Sequence, residues 1–348
     1  MAPVATTIDG ERCLGCGLCL SVCPADTLSL RQGRAVVSGS HCLACGHCVA
    51  ICPVGAVTVA DIDPSSLSFA SFTLDRDRWL APGAFDLGAL VSLMASRRSC
   101  RSYSHRPVAR ELLEDLIKIG VTAPSGTNSQ RWTFTVLASR TEVAALGEGI
   151  AGFFGRLNRL AANPLLRNLA ALFGRPALGD YHRRHYQSVE AALAAWRRDG
   201  RDLLFHGATA AILVGSRPGA SCPREDALLA TQNILLAAHA MGLGSCLIGY
   251  AVEALARDRA SRRRLNLPDD EPIHAVIALG YPCEPYLRLT GRKRALVRYP
   301  GLPEPAGQGE AGADPNGKAG ISPSGSAAPA LRYGGFLKNI CGPSQRTI

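Results

Sequence analysis

The hydrophobic residues of this chain recur at helix-like and strand-like spacings. Apolar positions three and four residues apart predict a helix that begins after Asp86, a second helix over 110–120 and a longer one over 226–241. Short runs of apolar and β-branched residues predict buried strands, at 132–137, 208–214 and 273–279. The pattern therefore predicts helices and strands between residues 86 and 280.

The longest apolar stretch, 234–256, is not typical of a membrane span. His239, two glycines and Glu253 interrupt it, whereas a membrane helix needs about 20 nearly uninterrupted apolar residues. The stretch instead predicts a buried core helix followed by a turn. Residues 1–11 lack the basic start and apolar core of a signal peptide. We therefore expect a soluble, cytoplasmic protein.

The chain is long and apolar enough for folded domains. It has 348 residues, of which 47% are hydrophobic and 19% are charged. This length allows about two domains, and the apolar share excludes wholesale disorder. A linker is predicted at 63–87, where proline, glycine and serine recur without a sustained hydrophobic period.

Eight of the 13 cysteines lie between residues 13 and 52, in a motif that occurs twice. Three thiolates, each separated from the next by two residues, can bind one face of a cubane cluster, and the fourth cysteine, which precedes a proline, ligates the other cluster. The spacing therefore predicts two [4Fe–4S] clusters. The ligands of the first are Cys13, Cys16, Cys19 and Cys52, and those of the second are Cys42, Cys45, Cys48 and Cys23.

Two other uses of grouped cysteines fit this pattern less well. A disulfide framework needs an oxidising compartment, for which no export signal is predicted. Structural zinc sites usually combine two Cys-x-x-Cys pairs across a longer loop. The segment resembles bacterial two-cluster ferredoxins over about residues 5–60. The resemblance implies a ferredoxin-like electron-transfer domain at 1–62.

Two polar segments after the linker carry candidate ligand-binding residues. The run 97–101 holds three arginines and a serine that can converge on a phosphate, although basic runs at helix ends are more often solvated. The turn 123–132 holds Asn128 and Gln130, whose amides suit the edge of a pyrimidine-like ring. An ordinary polar loop is the competing interpretation of this turn.

Two later segments complete a family pattern. The run 242–250 is rich in glycine, which lets a backbone approach a flat ligand closely. The strand 273–279 leads into a Gly-Tyr-Pro turn and then a basic segment at 292–294. In this order, the four segments resemble the FMN-dependent nitroreductase family over about residues 88–300. The resemblance implies an α+β sandwich, with helices on a mainly antiparallel sheet, and a homodimer that binds FMN in each interface.

The same resemblance implies which residues contact FMN. Position by position, it assigns these contacts to Arg97, Arg98, Ser99, Arg101, Ser125, Asn128, Gln130, Leu247, Ile248, Gly249, Arg292 and Arg294. Asn128 and Gln130 correspond to residues that bond the isoalloxazine edge, and Gly249 lies where the family places backbone against the flavin N5. Arg292 and Arg294 correspond to a basic pair that reaches the phosphate.

Two positions depart from the family pattern. Leu247 stands where many members carry an aromatic residue, so we expect different packing on the flavin face. Arg131 replaces the proline that is common after the glutamine, which changes the expected geometry of that loop.

Two further regions resemble the family least. The region 150–205 is rich in arginine and contains a predicted helix at 188–198. It is interpreted either as a lid over the substrate pocket or as a solvated basic helix. The tail 301–348 is rich in proline, glycine and serine, and its apolar end is expected to dock across the dimer. Spacing does not single out a proton donor among the candidates His182, His185 and Tyr186.

Together these features predict an iron–sulfur flavoprotein oxidoreductase. Electrons would pass through the clusters to FMN, which reduces a small organic substrate such as a nitro compound or a quinone. The expected donor is a ferredoxin-like protein or NAD(P)H, and no Gly-x-Gly-x-x-Gly after a strand predicts a separate Rossmann site. The alternatives are an FMN-dependent ene-reductase or dehydrogenase and a non-catalytic electron-transfer subunit. No side chain is assigned a catalytic role.

The predicted cofactors also change the meaning of the net charge. The formal charge is +10, an excess that is typical of nucleic-acid-binding proteins. Two oxidised clusters at about −2 each and an FMN phosphate at about −2 would lower it to about +4. No nucleic-acid-binding module or aromatic platform is recognised. The basic excess therefore predicts bound cofactors, with neither a nucleic acid nor a membrane as partner.

Overall fold

The computed structural model describes residues 4–174 and 176–300. The predicted tail at 301–348 therefore lies outside the described residues. The chain divides into two compact units, one that ends at Leu287 and one that begins at Arg288. Among the described helices, none combines the length and the hydropathy that crossing a membrane requires.

The first sixty residues form two small antiparallel sheets and two short helices. The elements are β1 (Thr6–Ile8), α1 (Leu18–Ser21), β2 (Leu28–Arg31), β3 (Arg34–Val37), α2 (His47–Ala50) and β4 (Val57–Val59). β1 pairs with β4, and β2 forms a hairpin with β3. Gly17 and Gly46 precede the two helices with φ of 73° and 75°, a left-handed conformation that glycine adopts without strain. The duplicated sequence therefore folds into duplicated conformations.

The predicted linker is hydrogen-bonded to a helix of the larger domain. It contains one short 3₁₀ turn, Pro64–Leu67, and then runs irregularly to α3 (Leu87–Ser96). The backbone N–H groups of Ala70 and Ser71 donate to the buried carboxylate of Asp115, at 3.0 and 2.7 Å. Asp115 belongs to α4 (Arg110–Gly120). The linker is thus bound to the surface of the larger domain.

From α3 onward the chain forms one four-stranded antiparallel sheet with helices on both faces. The strands are β5 (Trp132–Leu137), β6 (Ala210–Ser216), β7 (Gly244–Leu247) and β8 (Ile273–Gly280), in the order β5-β6-β8-β7. Further helices are α5 (Arg140–Ala162), α6 (Pro164–Leu172), α7 (Ala177–Arg184), α8 (Tyr186–Asp199), α9 (Pro223–Ala240), α10 (Gly249–Leu255) and α11 (Arg259–Arg264). The predicted α+β fold with a mainly antiparallel sheet is confirmed.

The two faces of the sheet form two separate hydrophobic cores. Side chains of a strand alternate between faces, so Ala211 and Leu213 of β6 join one core while Ile212 and Val214 join the other. The first core lies between the sheet and α5, α8 and α10, and the second lies between the sheet and α4 and α9. Every residue of β6 is buried, which explains its continuous apolar sequence.

Most predicted elements are present, with small shifts at their ends. α4 and β5 have the predicted bounds, and α3 begins after Asp86, whose side chain accepts a hydrogen bond from Ala89 N at 3.1 Å. The stretch 234–256 begins with the predicted core helix and turn, since α9 ends at Ala240, and β7 and α10 follow the turn. Gly242, with φ of 76°, allows the chain to leave the helix and enter the sheet.

Candidate functional site

The fold brings the eight motif cysteines together in two sets of four. One cavity is lined by Cys13, Cys16, Cys19 and Cys52, and a second by Cys23, Cys42, Cys45 and Cys48. Each set takes three cysteines from one motif and the fourth from the other, as the spacing predicts. Among the described residues, no three His, Cys, Asp or Glu side chains are arranged around a single metal ion. Four converging sulfur atoms around a cavity suit a cubane cluster.

Backbone N–H groups point at several of these sulfur atoms. Thr27 N donates to Cys23 Sγ at 3.3 Å, and Ala56 N donates to Cys52 Sγ at 3.2 Å. Burial alone would raise the pKa of both thiols, but these and neighbouring hydrogen bonds lower it below the ordinary cysteine value. The backbone therefore favours thiolates at the fourth cysteine of each motif.

The basic run 97–101 lies beside the short edge strand β7. Cys100 N donates to Ser245 O at 2.9 Å, and Ser99 forms a parallel bridge with Ser245. This pairing places Arg97, Ser99 and Arg101 around Cys246, where their effects partly offset the rise in its thiol pKa that burial causes. Arg98 is half-buried within the same run. The predicted phosphate-binding run and the glycine-rich segment predicted to face the flavin are therefore neighbours.

A cavity of about 960 Å³ opens between this strand and the helices of the region 150–205. On one side it is lined by Arg101 and by the segment from Cys246 to Gly249. Gly249 borders open space, and Leu247 keeps 48% of its surface exposed. The opposite side is formed by α5 and α7, which supports the lid interpretation of the region.

Aromatic side chains of the lid region and of α10 line this cavity. They include Phe154, Tyr181, His185 and Tyr250. Phe154 stacks near Tyr181 and meets Tyr250 edge to face, with ring centroids 6.4 and 5.4 Å apart. Tyr181 donates to Asn158 Oδ1 at 2.6 Å, and burial raises its pKa to about 12. These rings form an apolar wall with polar tips that suits a planar ligand.

The other predicted flavin segment, 125–130, lies at the opposite end of α9. Gly126 N donates to Asp226 Oδ1 at 2.9 Å, near the first turn of that helix. His239, near the last turn, has its pKa lowered by burial and by the charge of Arg97. The thirteen positions from Asp226 to His239 span about 20 Å at a rise of about 1.5 Å per residue. One chain therefore does not bring its two predicted flavin segments together.

The sheet supports the same conclusion. The segment 125–130 leads into β5, and the run 97–101 lies along β7. β5 and β7 are the two edges of the sheet, about 14 Å apart at a strand spacing of about 4.8 Å. The two edges of the sheet therefore keep the two predicted flavin segments of one chain apart.

Asn128 and Gln130 make specific contacts within the chain. The Asn128 side-chain amide donates to the carbonyl oxygens of Leu43 and Ala44, both at 3.0 Å, in the loop between Cys42 and Cys45. Gln130 Nε2 donates to Asn128 Oδ1 at 2.9 Å. Their assignment to the isoalloxazine edge stays a prediction. Arg292 and Arg294 belong to the second unit, in an exposed segment without helix or strand, and their role also stays a prediction.

The donor set around β7 fits FMN. Among the described residues, no carboxylate forms a salt bridge with Arg97 or Arg101. The hydroxyl of Ser245 is buried there without a hydrogen-bond partner. Uncompensated guanidinium groups beside an unpaired hydroxyl suit an anionic phosphate and a polar ring.

Comparison with known proteins identifies both parts of the chain. Residues 5–53 match the 4Fe-4S dicluster domain. Residues 94–281, more than half of the chain, match the nitroreductase family. The chain belongs to the nitroreductase family. It is an FMN-dependent oxidoreductase, and its cofactors are FMN and two [4Fe–4S] clusters.

Similar proteins include two curated relatives and one solved structure. An NADH dehydrogenase of Thermus thermophilus is 30% identical over 54% of this chain and 84% of its own length. A putative NADH dehydrogenase/NAD(P)H nitroreductase of Archaeoglobus fulgidus is 28% identical over 55% of this chain and 84% of its own. An FMN-bound nitroreductase of Desulfitobacterium hafniense is 23% identical, with a TM-score of 0.43, over 60% of this chain and 97% of that one.

Sequence reasoning about this nitroreductase-family chain missed several cavity residues. Phe154 and His206 line the cavity, but neither lies in a motif, and only the fold brings them to Arg101. Among the candidate proton donors, His185 lines the cavity, while His182 packs against Tyr186 with ring centroids 4.8 Å apart.

The departure from the family pattern at Arg131 has a local explanation. Its guanidinium donates to Pro218 O at 3.1 Å and lies beside Gly219, in the turn after β6. The arginine therefore anchors the loop 125–131 to a neighbouring turn.

Proposed function

We propose that this chain carries electrons one at a time through two [4Fe–4S] clusters to FMN and reduces a small planar organic acceptor, such as a nitro compound or a quinone. The cluster ligands are the eight motif cysteines in the two sets given above. The observation that carries the proposal is the cavity of about 960 Å³, in which Arg101 and the segment 247–249 face an aromatic wall. A planar acceptor stacked in this cavity would lie between the wall and the predicted flavin face.

The residues of the chain bind FMN, orient the acceptor and exclude water from the cavity. FMN, when bound, supplies the junction between one-electron transfer from the clusters and two-electron reduction of the acceptor. Arg97 and Arg101 provide fixed positive charge for its anionic groups. The rings of Phe154 and Tyr250 limit solvent access to the cavity. His185, which contacts Tyr250 with Nδ1 3.4 Å from the phenol oxygen, is placed to donate a proton to a reduced acceptor.

The proposal also covers the domain organisation of the chain, its cellular location and its electron donor. The electron-transfer domain is 1–62, the linker 63–87, the flavin domain 88–300 and the tail 301–348. The chain works in the cytoplasm as a homodimer, because its two flavin segments lie too far apart to meet within one copy. Its donor is a ferredoxin-like protein, since fusion to two clusters suits one-electron delivery. NAD(P)H is the competing donor, favoured by the name of the Archaeoglobus relative.

Anaerobic mixing experiments test the electron route. The wild-type protein and Cys16→Ala are each mixed with a reduced low-potential ferredoxin and, separately, with NADPH, while flavin absorbance is followed. We expect ferredoxin to bleach the flavin rapidly in the wild-type protein and slowly in Cys16→Ala. Cys222→Ala, which removes an exposed cysteine outside both motifs, is the matched control. Rapid and equal bleaching of both proteins by NADPH alone would contradict the route.

Turnover of candidate acceptors tests the chemistry. Nitroaromatics and quinones are compared with enones under the donor that reduces the flavin. Preferential turnover of nitroaromatics or quinones is the expected result. Preferential turnover of enones would instead identify an ene-reductase, and no turnover together with a tightly bound redox partner would identify an electron-transfer subunit.

A further inference from the structure

The two cluster sites share a duplicated sequence but differ in what covers their loops. In the first loop, the backbone of Gly15 lies against the β2–β3 hairpin of the same small domain. In the second loop the equivalent residue is Ala44, and its carbonyl accepts a hydrogen bond from Asn128 in the flavin domain. Leu14 keeps 69% of its surface exposed, whereas the equivalent Leu43 is half-buried. The first cluster loop faces solvent and the second faces the flavin domain.

The ligand cysteines show the same difference. Cys16, in the middle of the first loop, is exposed, while Cys45, its equivalent in the second, is half-buried. Leu18 and Leu30 are also exposed near the first loop, and Leu30 lies 3.7 Å from the position of a Cβ on Gly17. An external donor therefore has direct access to the first cluster.

Both the nitrogen and the oxygen of the Asn128 side-chain amide form hydrogen bonds at the junction of the two domains. Its Nδ2 group donates to Leu43 O and Ala44 O, and its Oδ1 accepts from Gln130. The two carbonyls belong to the residues that separate two ligand cysteines of the second cluster. A short chain of hydrogen bonds therefore connects the second cluster loop to the loop 125–130.

We infer that the second cluster is the one that reduces the flavin, and that this flavin is held by the 97–101 and 247–249 segments of the partner protomer. The first cluster is the entry point, and Asn128 is a positioning residue that holds the second cluster loop at the interface. The inference rests on the proposed function. Its physical basis is that the loop 125–130, which carries the junction, lies about 20 Å along α9 from the flavin-facing segments of its own chain.

The electron balance of the inferred route is simple. A one-electron donor protein reduces the first cluster and is itself oxidised. The first cluster then reduces the second, which passes its electron across the interface. Two such transfers, with uptake of two protons from water, reduce one FMN fully.

Substitution of Asn128 tests the positioning role. Asn128→Leu removes the side-chain donors and acceptor, and Asn233→Leu is the matched control, because Asn233 makes a comparable surface bond to Thr122 Oγ1 at 3.1 Å. We expect Asn128→Leu to slow flavin bleaching by reduced ferredoxin about tenfold, since hydrogen bonds of this kind shift the population of a docked state by about that factor. Because the resemblance also assigns Asn128 to the isoalloxazine edge, the rate is expressed per bound flavin and the flavin reduction potential is measured. A slower rate at an unchanged potential is the expected result, whereas an unchanged rate per bound flavin, or a slower rate with a changed potential, would overturn the positioning role.

Mixed dimers test transfer between protomers. One protomer carries Cys45→Ser, which removes a second-cluster ligand, and the other carries Arg97→Ala with Arg101→Ala, which weakens its flavin segment. Two affinity tags isolate the mixed dimer, and bound flavin is quantified before anaerobic mixing with reduced ferredoxin. Transfer between protomers predicts that the remaining flavin is bleached at close to the wild-type rate. Transfer within one protomer predicts that this flavin stays oxidised, which would overturn the inference.

The two parent homodimers separate this inference from the proposed function. The Cys45→Ser homodimer is expected to bind FMN and to bleach slowly, and the arginine double variant to keep about eight iron atoms per chain with little FMN. If the Cys45→Ser homodimer bleached as fast as the wild-type protein, the cluster route itself would fail. If it bleached slowly and the mixed dimer did too, only transfer between protomers would fail.

Discussion

Gly15 and Ala44 occupy equivalent positions in the duplicated cluster loops, and both have left-handed φ, 69° and 48°. A Cβ on Gly15 would lie 1.8 Å from the carbonyl oxygen of Gly33, a distance that real atoms do not adopt. Ala44 carries a Cβ at the equivalent position, where the residue packs against the small core of the domain. The residue at this position is therefore decided by what packs against the loop, in addition to its φ.

Gly15→Ala is expected to disrupt the first cluster selectively. The added Cβ forces the loop away from the hairpin, which displaces Cys13 and Cys16. Iron analysis of the purified protein should fall from about eight towards about four atoms per chain, the content of one [4Fe–4S] cluster. Gly10→Ala is the control, because a Cβ there meets nothing within 4 Å. Retention of about eight iron atoms by Gly15→Ala would contradict the expectation.

The burial of His206 makes the folding stability of the protein depend on pH. Burial lowers the pKa of His206, and Arg101 adds to this effect, while Asp202 opposes it. The unfolded chain therefore takes up a proton near pH 6.5, whereas the folded protein takes it up only at lower pH. His206 leaves stability unaffected well above about pH 6.5 and lowers it as the pH falls below that value.

Thermal unfolding of His206→Gln measures this contribution. Between about pH 7.5 and 5.5, the variant should lose less stability than the wild-type protein, because it cannot take up the proton on unfolding. His182→Gln, outside the cavity, is the control. Equal pH slopes for wild type and His206→Gln would exclude the contribution.

At the scale of elements, the linker is an ordered segment, called the strap below, whose residues 68–71 are hydrogen-bonded to α4. Lys118 Nζ donates to Ser68 O at 2.6 Å, one turn along the helix from Asp115. Burial would raise the pKa of the Asp115 carboxyl, but its hydrogen bonds from Ser71 and Ala70 lower it below the ordinary value. A polar anchor thus holds a segment whose composition is that of a flexible linker.

Asp115→Ala is expected to release this strap. The substitution leaves the N–H groups of Ala70 and Ser71 without their acceptor, at a cost of about 2 kcal/mol. Limited trypsin digestion should then cleave faster after Arg76 and Arg78, which are exposed in the linker. Glu114→Ala, which removes only an exposed salt bridge to Arg110, is the control. Unchanged cleavage would show that the strap is held by other contacts.

At the scale of the whole molecule, the predicted flavin segments lie in distant parts of one chain. The basic run and β7 lie at one end of α9, and the loop 125–130 lies at the other. In the proposed homodimer, association of two copies brings these segments together. Flavin binding and dimerisation are then expected to be thermodynamically linked.

Sedimentation of the apoprotein with and without FMN tests this linkage. A ligand that binds only the dimer stabilises it, so added FMN should lower the protein concentration at which dimers form. The arginine double variant Arg97→Ala with Arg101→Ala should show a smaller effect. A monomer that binds FMN as tightly as the dimer would contradict the divided site.

Local sequence alone was sufficient where the interaction partners lie close along the chain. The cysteine motifs predict two sets of four, because three ligands of each set lie within seven residues. The bounds of α4 and β5 follow from their own periodicity, and the start of α3 follows from the cap at Asp86. The match of residues 94–281 to the nitroreductase family then confirmed the α+β fold and the FMN-dependent oxidoreductase class.

Only the tertiary structure decided how these parts are connected. The hydrogen bonds from Asn128 to the second cluster loop join residues more than eighty positions apart, and no local period encodes them. The glycine-rich segment predicted as a loop contains β7, because pairing with β8 supplies hydrogen bonds that its own sequence cannot. The two clusters therefore follow from cysteine spacing and FMN from the resemblance to a family, whereas the proposed route between these cofactors rests on contacts that exist only after folding.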